Sequence, residues 1–169
     1  MNLDRMANNV NEVDVQIEIG IGQTVKYEID HVTHQLRCDR FLHGPFVYPF
    51  NYGYILNTMG GDGDPLDAVV LCKPSLYPTC IVRCKIIGAL ITRDEKGRDE
   101  KLLLVPVPSI DPDQSDIHEY SDLDVHTLSR IKYFFERYKD LEKGKFVVVE
   151  DFVDAAEALK IYESSIFLK

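Results

Sequence analysis

Six residues, Asp62-Gly63-Asp64-Pro65-Leu66-Asp67, place three carboxylates in a stretch whose Gly and Pro mark a loop running into a strand. A second set, Asp94, Glu95 and Asp99 with Glu100 beside it, sits in one polar turn around Gly97. At about 6 Å and an effective dielectric of about 20, each ionised pair repels by roughly 3 kcal/mol. Such loops fold when cations sit among the acids or when solvent spreads the charges. Spacing alone leaves both a divalent-metal site and a solvated surface turn open. The candidate ligands are all oxygen, with no Cys/His cage, so a metal there would be Mg²⁺ or Mn²⁺, with Ca²⁺ compatible. An EF-hand is excluded, because its fifth, sixth and twelfth places would hold Leu66, Asp67 and Lys73. Gly144-Lys145 lacks the rest of a Walker A loop, and no G-x-S-x-G stands out. No clear Cys/His arrangement offers covalent acyl chemistry.

Cations are interleaved with these acids: Lys26, Arg40, Lys101 and Lys139, the last beside Tyr138. Carboxylates mixed with Lys and Arg suit a multiply charged oxyanion, whose oxygens metals clamp while the cations take the rest. Each cation alone also reads as a solvated side chain. Tyr48, Tyr52 and Tyr54 fall within Tyr-Pro-Phe-Asn-Tyr-Gly-Tyr. They suit either an aromatic core or phenols donating to phosphate, and composition does not separate the two.

The elements that must position these residues follow from pattern. Residues 13–19 and 25–30 alternate apolar and polar, which predicts two strands joined as a hairpin through Gly20 and Gly22. Val13, Val15, Ile17 and Ile19 share one face, with Glu18 opposite. Further strands are predicted at 36–42, 68–72, 81–92, 101–107 and 146–149. Leu128, Ile131, Phe135 and Tyr138 at helical spacing predict a helix over about 122–140, with Ser121 and Asp124 as a capping box. A second helix is predicted over 154–164. The sum is an α+β chain, mainly β, as in a small barrel with helices packed on it. With 169 residues and no linker-like stretch, one domain spanning 1–169 is expected, its core over about 13–165.

Nineteen basic against 28 acidic residues give a net charge of −9, which disfavours a nucleic-acid partner. No apolar run approaches the roughly 18 residues of a membrane span, and Met1 to Asn11 lacks a secretory apolar core. The four cysteines, Cys38, Cys72, Cys80 and Cys84, form no C-x-x-C pair and read as reduced thiols, so a cytoplasmic location is expected.

The motifs together resemble the family I soluble inorganic pyrophosphatases. The match lies in Asp62-Gly-Asp-Pro-Leu-Asp67-Ala, Val-Lys26-Tyr-Glu28-Ile-Asp and Asp-Arg40-Phe. It continues in Tyr48-Pro-Phe-Asn-Tyr52-Gly-Tyr, Asp94-Glu95 with Asp99-Glu-Lys101, and Phe-Phe-Glu-Arg-Tyr138-Lys139-Asp-Leu-Glu. It runs from about Val13 to Lys160. The resemblance implies an OB-like five-stranded barrel with two C-terminal helices packed outside. It implies Mg²⁺-dependent hydrolysis of pyrophosphate to two orthophosphates by a metal-activated water, without a covalent intermediate. Several Mg²⁺ ions would be bound per site, with Mn²⁺ as a substitute. By position, Asp62, Asp67 and Asp99 would bind activating metals, Asp67 bridging two. Asp94 would help hold a further metal, and Glu18 one arriving with substrate. Asp64 would help deprotonate the attacking water. Lys26, Arg40, Tyr52, Lys101, Tyr138 and Lys139 would contact the phosphates, with Glu28, Tyr48 and Glu95 supporting the site. A homo-oligomer, a hexamer as in the short bacterial type, is likewise implied.

The chain departs from the family pattern in a short lead-in before Val13, a compact turn from Gly20 to Thr24, and Thr79-Cys80 where a Gly is frequent. Two other functions compete. A barrel binding single-stranded nucleic acid would need a basic groove and exposed aromatics, which the acidic balance opposes. A silent scaffold would have lost one or more of the acids, and all are present.

Overall fold

The alternation of Val13, Val15 and Ile17 demands a strand with one face fully buried. In the computed structural model, which describes residues 10–167, all three are 2 % exposed or less. They lie on β1 (Glu12–Ile19), which is not half of a hairpin with the next strand. One edge of β1 pairs antiparallel with β4 (Asn51–Ile55) and the other with β6 (Ile81–Asp94). β2 (Val25–Ile29) instead pairs with β3 (Leu36–Phe41) in a separate two-stranded sheet. The local signal for that pairing is Asp30: its carboxylate accepts from Val32 N and Thr33 N, and the chain reverses before β3.

β5 (Asp67–Val70) pairs antiparallel with β4 and parallel with β7 (Gly97–Pro106), and β7 pairs antiparallel with β6. Since β6 also pairs with β1, the order β1-β4-β5-β7-β6 closes on itself as a five-strand ring. This is the OB-like barrel expected above. β6 serves two partners along one edge. Its first half pairs with β1 and its second half with β8 (Val147–Asp154). The β6–β7 hairpin is tighter than the sequence suggested. It closes at Asp94 opposite Gly97, so Asp99 and Glu100 lie on a strand rather than in a turn.

The strand period of two then separates two apolar clusters. On β7, Leu102 and Leu104 face one cluster, and Leu103 and Val105 the other. On β5, Ala68 and Val70 oppose Val69 in the same way. The first cluster is covered by α2 (Ala155–Ser165) through Ala158, with Leu159, Ile161 and Tyr162 against it. The second is covered by α1 (Val125–Arg137) through Ile131, Phe134 and Phe135. A register shift in β1 between Ile17 and Ile19 puts Ile19 in the second cluster rather than beside Ile17. Asp124 caps α1 by accepting from His126 N, whereas Ser121 lies in a short 3₁₀ turn and forms no capping box with it. Gly53 on β4 permits a close crossing of β1: a Cβ there would stand 1.9 Å from Gln16 O.

Thr79 adopts φ +78°, a left-handed conformation that a β-branched residue rarely takes. It is held there by Thr79 N donating to Ile17 O at 2.6 Å and Ile17 N donating to Cys80 O at 2.9 Å. The cost of that conformation exceeds the entropic cost of a glycine. Thr79→Gly should therefore stabilise the protein by up to about 1 kcal/mol. That corresponds to a rise of about 2–4 °C in Tm. Thermal unfolding measures it, and a fall in Tm would show that the threonine side chain outweighs the backbone strain.

Candidate active site

The parallel register of β5 and β7 places Asp67 opposite Lys101. The strand period puts Asp99, two residues earlier on β7, on the same side as Lys101. Lys101 Nζ donates to Asp67 Oδ2 and Asp99 Oδ2, each at 2.7 Å, and to Tyr52 OH on β4 at 2.9 Å. Lys101 is only 5 % exposed. Burial pulls its ammonium pKa down, but Asp67, Tyr52 and Asp99 outweigh that, and the ammonium is held well above the ordinary lysine range. The Asp99 carboxyl is raised as well, which in its case disfavours the charged form. Burial and the neighbouring Asp67 raise its pKa despite the Lys101 contact.

These groups form part of the wall of a cavity of about 390 Å³, and all fifteen residues given a role by the family resemblance line it, whereas Glu100, grouped with them by spacing, lies outside and pairs with Arg98. Nine carboxylates and six Lys or Arg side chains stand around the cavity. Asp62, Asp64 and Pro65 come from the β4–β5 loop. Asp94, Glu95 and Lys96 come from the β6–β7 turn. Tyr138 and Lys139 come from the end of α1, where Tyr138 N closes the last turn on Phe134 O at 2.9 Å. Lys139 Nζ stands 3.8 Å from Asp94 Oδ2, and burial lowers its pKa.

The β2–β3 ribbon supplies a further side of the wall through Lys26, Glu28 and Arg40. Lys26 contacts Glu28, and its Nζ lies 3.8 Å from Asp39 Oδ2. Arg40 contacts Asp39, and its Nε lies 2.7 Å from Glu142 Oε1 without hydrogen-bond alignment. Glu18 joins the ribbon to the barrel: its Oε2 accepts from Ile29 N at 2.7 Å. Burial pushes the Glu18 carboxyl up to about 7 against the pull of that hydrogen bond. The phenols of Tyr48 and Tyr52 are buried and raised well above the ordinary range, and burial raises Tyr138 to about 12. All three keep their protons near neutral pH. Tyr48 is 1 % exposed and packs against Phe50, Tyr52 and Phe134, so it is core as well as wall.

Asp39, His31, Lys96 and Lys145 also line the cavity, although the sequence reading gave none of them a role, and so does Tyr54, which that reading left between core and phosphate donor. Tyr54 donates to Gln16 Oε1 at 2.6 Å and meets His31 edge-on. Glu142, 7 % exposed, lies behind Arg40 and Lys145. Glu142 closes the motif that runs through Tyr138-Lys139-Asp-Leu-Glu, yet nothing in its pattern marks it as buried, and the sequence reading gave it no role. Among the described residues, no three acids, histidines or cysteines are drawn together tightly enough to hold a metal ion as they stand. The oxygen-only donor set and the excess of carboxylates over cations are nevertheless what a hard divalent cation requires.

The inorganic pyrophosphatase family model matches residues 15–167. The inorganic pyrophosphatase of Helicobacter pylori strain J99 is 43 % identical over 168 residues, covering 98 % of this chain and 97 % of that one. That of Campylobacter jejuni is 44 % identical over 156 residues, covering 92 % and 91 %. A crystal structure of an inorganic phosphatase from Anaplasma phagocytophilum superposes with a TM-score of 0.92 at 43 % identity, covering 95 % of this chain and 94 % of that chain.

Glu18 should leave a signature in the metal-free protein. In the unfolded chain it ionises near 4.5, while in the folded protein it holds its proton to about pH 7. Between those values the folded state binds more protons, so stability falls as pH rises, by up to about 3 kcal/mol from this group. Glu18→Gln removes that titration and keeps an acceptor for Ile29 N. In EDTA, the stability of Glu18→Gln relative to wild type should rise between pH 4.5 and 7.5. A flat difference in chemical unfolding across that range would contradict the assignment.

Proposed function

The chain belongs to the inorganic pyrophosphatase family, hydrolases of a phosphoric anhydride, and from that premise we propose that it hydrolyses inorganic pyrophosphate to two orthophosphates with Mg²⁺, Mn²⁺ serving as a substitute. The observation that carries this reading is the Lys101 cluster. One buried ammonium touches two carboxylates and a phenol in the wall of a cavity that presents both signs of charge.

Asp62, Asp67 and Asp99 would hold the activating cations, Asp67 shared between two. Asp94 would hold a further cation, and Glu18 one that enters with substrate. Bound Mg²⁺ supplies Lewis acidity, which neutralises phosphate charge and acidifies water in the site. Asp64, on the exposed loop, orients the attacking water and takes its proton. Lys26, Arg40, Lys101 and Lys139 bind the phosphate oxygens and stabilise the charge that grows on the leaving phosphate. Tyr52 and Tyr138 retain their protons, so they donate to those oxygens rather than repel them. Glu28 orients Lys26, and Glu95 and Tyr48 support the wall. Direct attack by that water, without a covalent intermediate, is what the family resemblance implies.

The same reading makes residues 1–169 one pyrophosphatase domain that acts in the cytoplasm as a homo-oligomer, a hexamer by family resemblance. No helix among the described residues is long and apolar enough to cross a membrane. The net charge of −9 argues against a nucleic-acid partner.

Phosphate release should be fast from pyrophosphate with Mg²⁺, abolished by EDTA, and slow from ATP. Folded protein without release in Mg²⁺ or Mn²⁺ would reject the activity and favour the silent scaffold. Asp67→Asn should lower kcat by about a hundredfold or more with the fold intact by circular dichroism. Arg40→Ala should cost about tenfold in kcat/KM and also lower Tm, because it leaves the buried Glu142 carboxylate short of its partner. A large loss of stability with normal kinetics would make Arg40 structural instead.

A further inference from the structure

The loop between β4 and β5 carries Asp62 and Asp64 and delivers Asp67, yet little of it packs. Asn57, Met59 and residues 61–64 are exposed, and three of its residues are glycines. Ordering such a chain costs about 1–2 kcal/mol per residue, and its like charges oppose closure further. Gly60 N donates to Asp64 O at 2.7 Å and Asp64 N to Asp62 Oδ1 at 3.0 Å, which shapes the tip, but further contacts must hold the base.

Two sets of contacts do. The first closes its neck. Ile55 N donates to Leu66 O at 2.9 Å, and the Thr58 hydroxyl donates to Ile55 O at 2.7 Å while accepting from Leu66 N at 3.0 Å. Thr58 is 2 % exposed and Leu66 3 %. The second comes from the far end of the chain. Met59 N donates to Ser165 O at 2.8 Å, Phe167 N donates to Asn57 O at 3.0 Å, and Thr58 bridges antiparallel to Ile166. Ser165 ends α2, whose Ala158 is fully buried in the first apolar cluster. A continuous path of packed and hydrogen-bonded groups therefore runs from the core through α2 and residues 165–167 to the neck of the acidic loop.

We propose that the segment Ser165–Phe167 is a positioning element of the active site, setting through Thr58 how Asp62, Asp64 and Asp67 are presented. It touches no reacting atom. Its role in catalysis rests on the function proposed above, whereas its hold on the loop does not.

Phe167→Pro removes the N–H that Asn57 O accepts, while Phe167→Ala keeps it and changes only a half-exposed side chain. Two readouts on metal-stripped, folded protein test the proposal: Mn²⁺ binding by electron paramagnetic resonance, and amide hydrogen exchange over residues 57–66. Phe167→Pro should weaken Mn²⁺ binding about tenfold and speed exchange at Met59 and Leu66, with Phe167→Ala matching wild type. Wild-type Mn²⁺ affinity and exchange in Phe167→Pro would overturn the proposal. If that variant fails to fold, a chain ended after Ile166 decides, since it lacks the same N–H without a proline ring. Weakened binding and faster exchange in that chain support the coupling, and wild-type behaviour refutes it. A wild-type protein that neither binds Mn²⁺ nor releases phosphate would refute the proposed function instead, leaving the exchange data to judge the brace.

Discussion

A lysine ammonium sealed from water needs countercharge, and the site is organised around meeting that need at Lys101. Three strands of the barrel converge on its Nζ: β5 through Asp67, β4 through Tyr52, and β7 through Asp99. Removing any partner would leave a buried charge short of hydrogen bonds, which is far more costly than never burying it. The cluster therefore ties the barrel register to the chemistry. A one-residue slip of β7 against β5 would turn Lys101 and Asp99 to the other face and carry Leu102 and Leu104 out of their core.

The same strand period explains why one small barrel supports both a core and a polar cavity. Alternate residues of β5 and β7 serve the cluster under α2, and the residues between them serve the cluster under α1. Along the second set, apolar side chains give way to charged ones toward one end: Val105, Leu103, Lys101, Asp99 on β7, and Val69, Asp67 on β5. The cavity is where that series leaves the core. α1 completes it with aromatic packing of Phe134 and Phe135 on Tyr48, Phe50 and Tyr52, each buried aromatic contributing about 1.5–3 kcal/mol. That packing sets where Tyr138 and Lys139 emerge. The β2–β3 ribbon adds Lys26 and Arg40, anchored to β1 by the buried Glu18 contact with Ile29 N.

Much of this was legible before any coordinate. The acidic loop, the alternating strands and the apolar stripe of α1 are local patterns, and local patterns report periodicity and turn chemistry directly. Misreadings came where pairing is non-local. Residues 13–19 and 25–30 look like a hairpin because both alternate and glycines lie between them, but alternation names a buried face and says nothing of the partner at each edge. Asp99 looks like a turn residue because its neighbours are polar, while the β6–β7 register carries it onto a strand. Glu142, given no role by the sequence, is buried, because only the folded chain brings Arg40 beside it.

The amino-acid sequence by itself determined which side chains were available: hard oxygen donors, cations suited to an oxyanion, and no Cys/His or G-x-S-x-G arrangement for acyl chemistry. It also determined, through hydrophobic period, which faces had to be buried. The tertiary structure alone decided which acids share a cation, which carboxyl is driven up by burial, and which remote segment braces the acidic loop. Those outcomes depend on distance and dielectric, and both arise only when residues such as 58 and 166, or 67 and 101, are brought together across the fold.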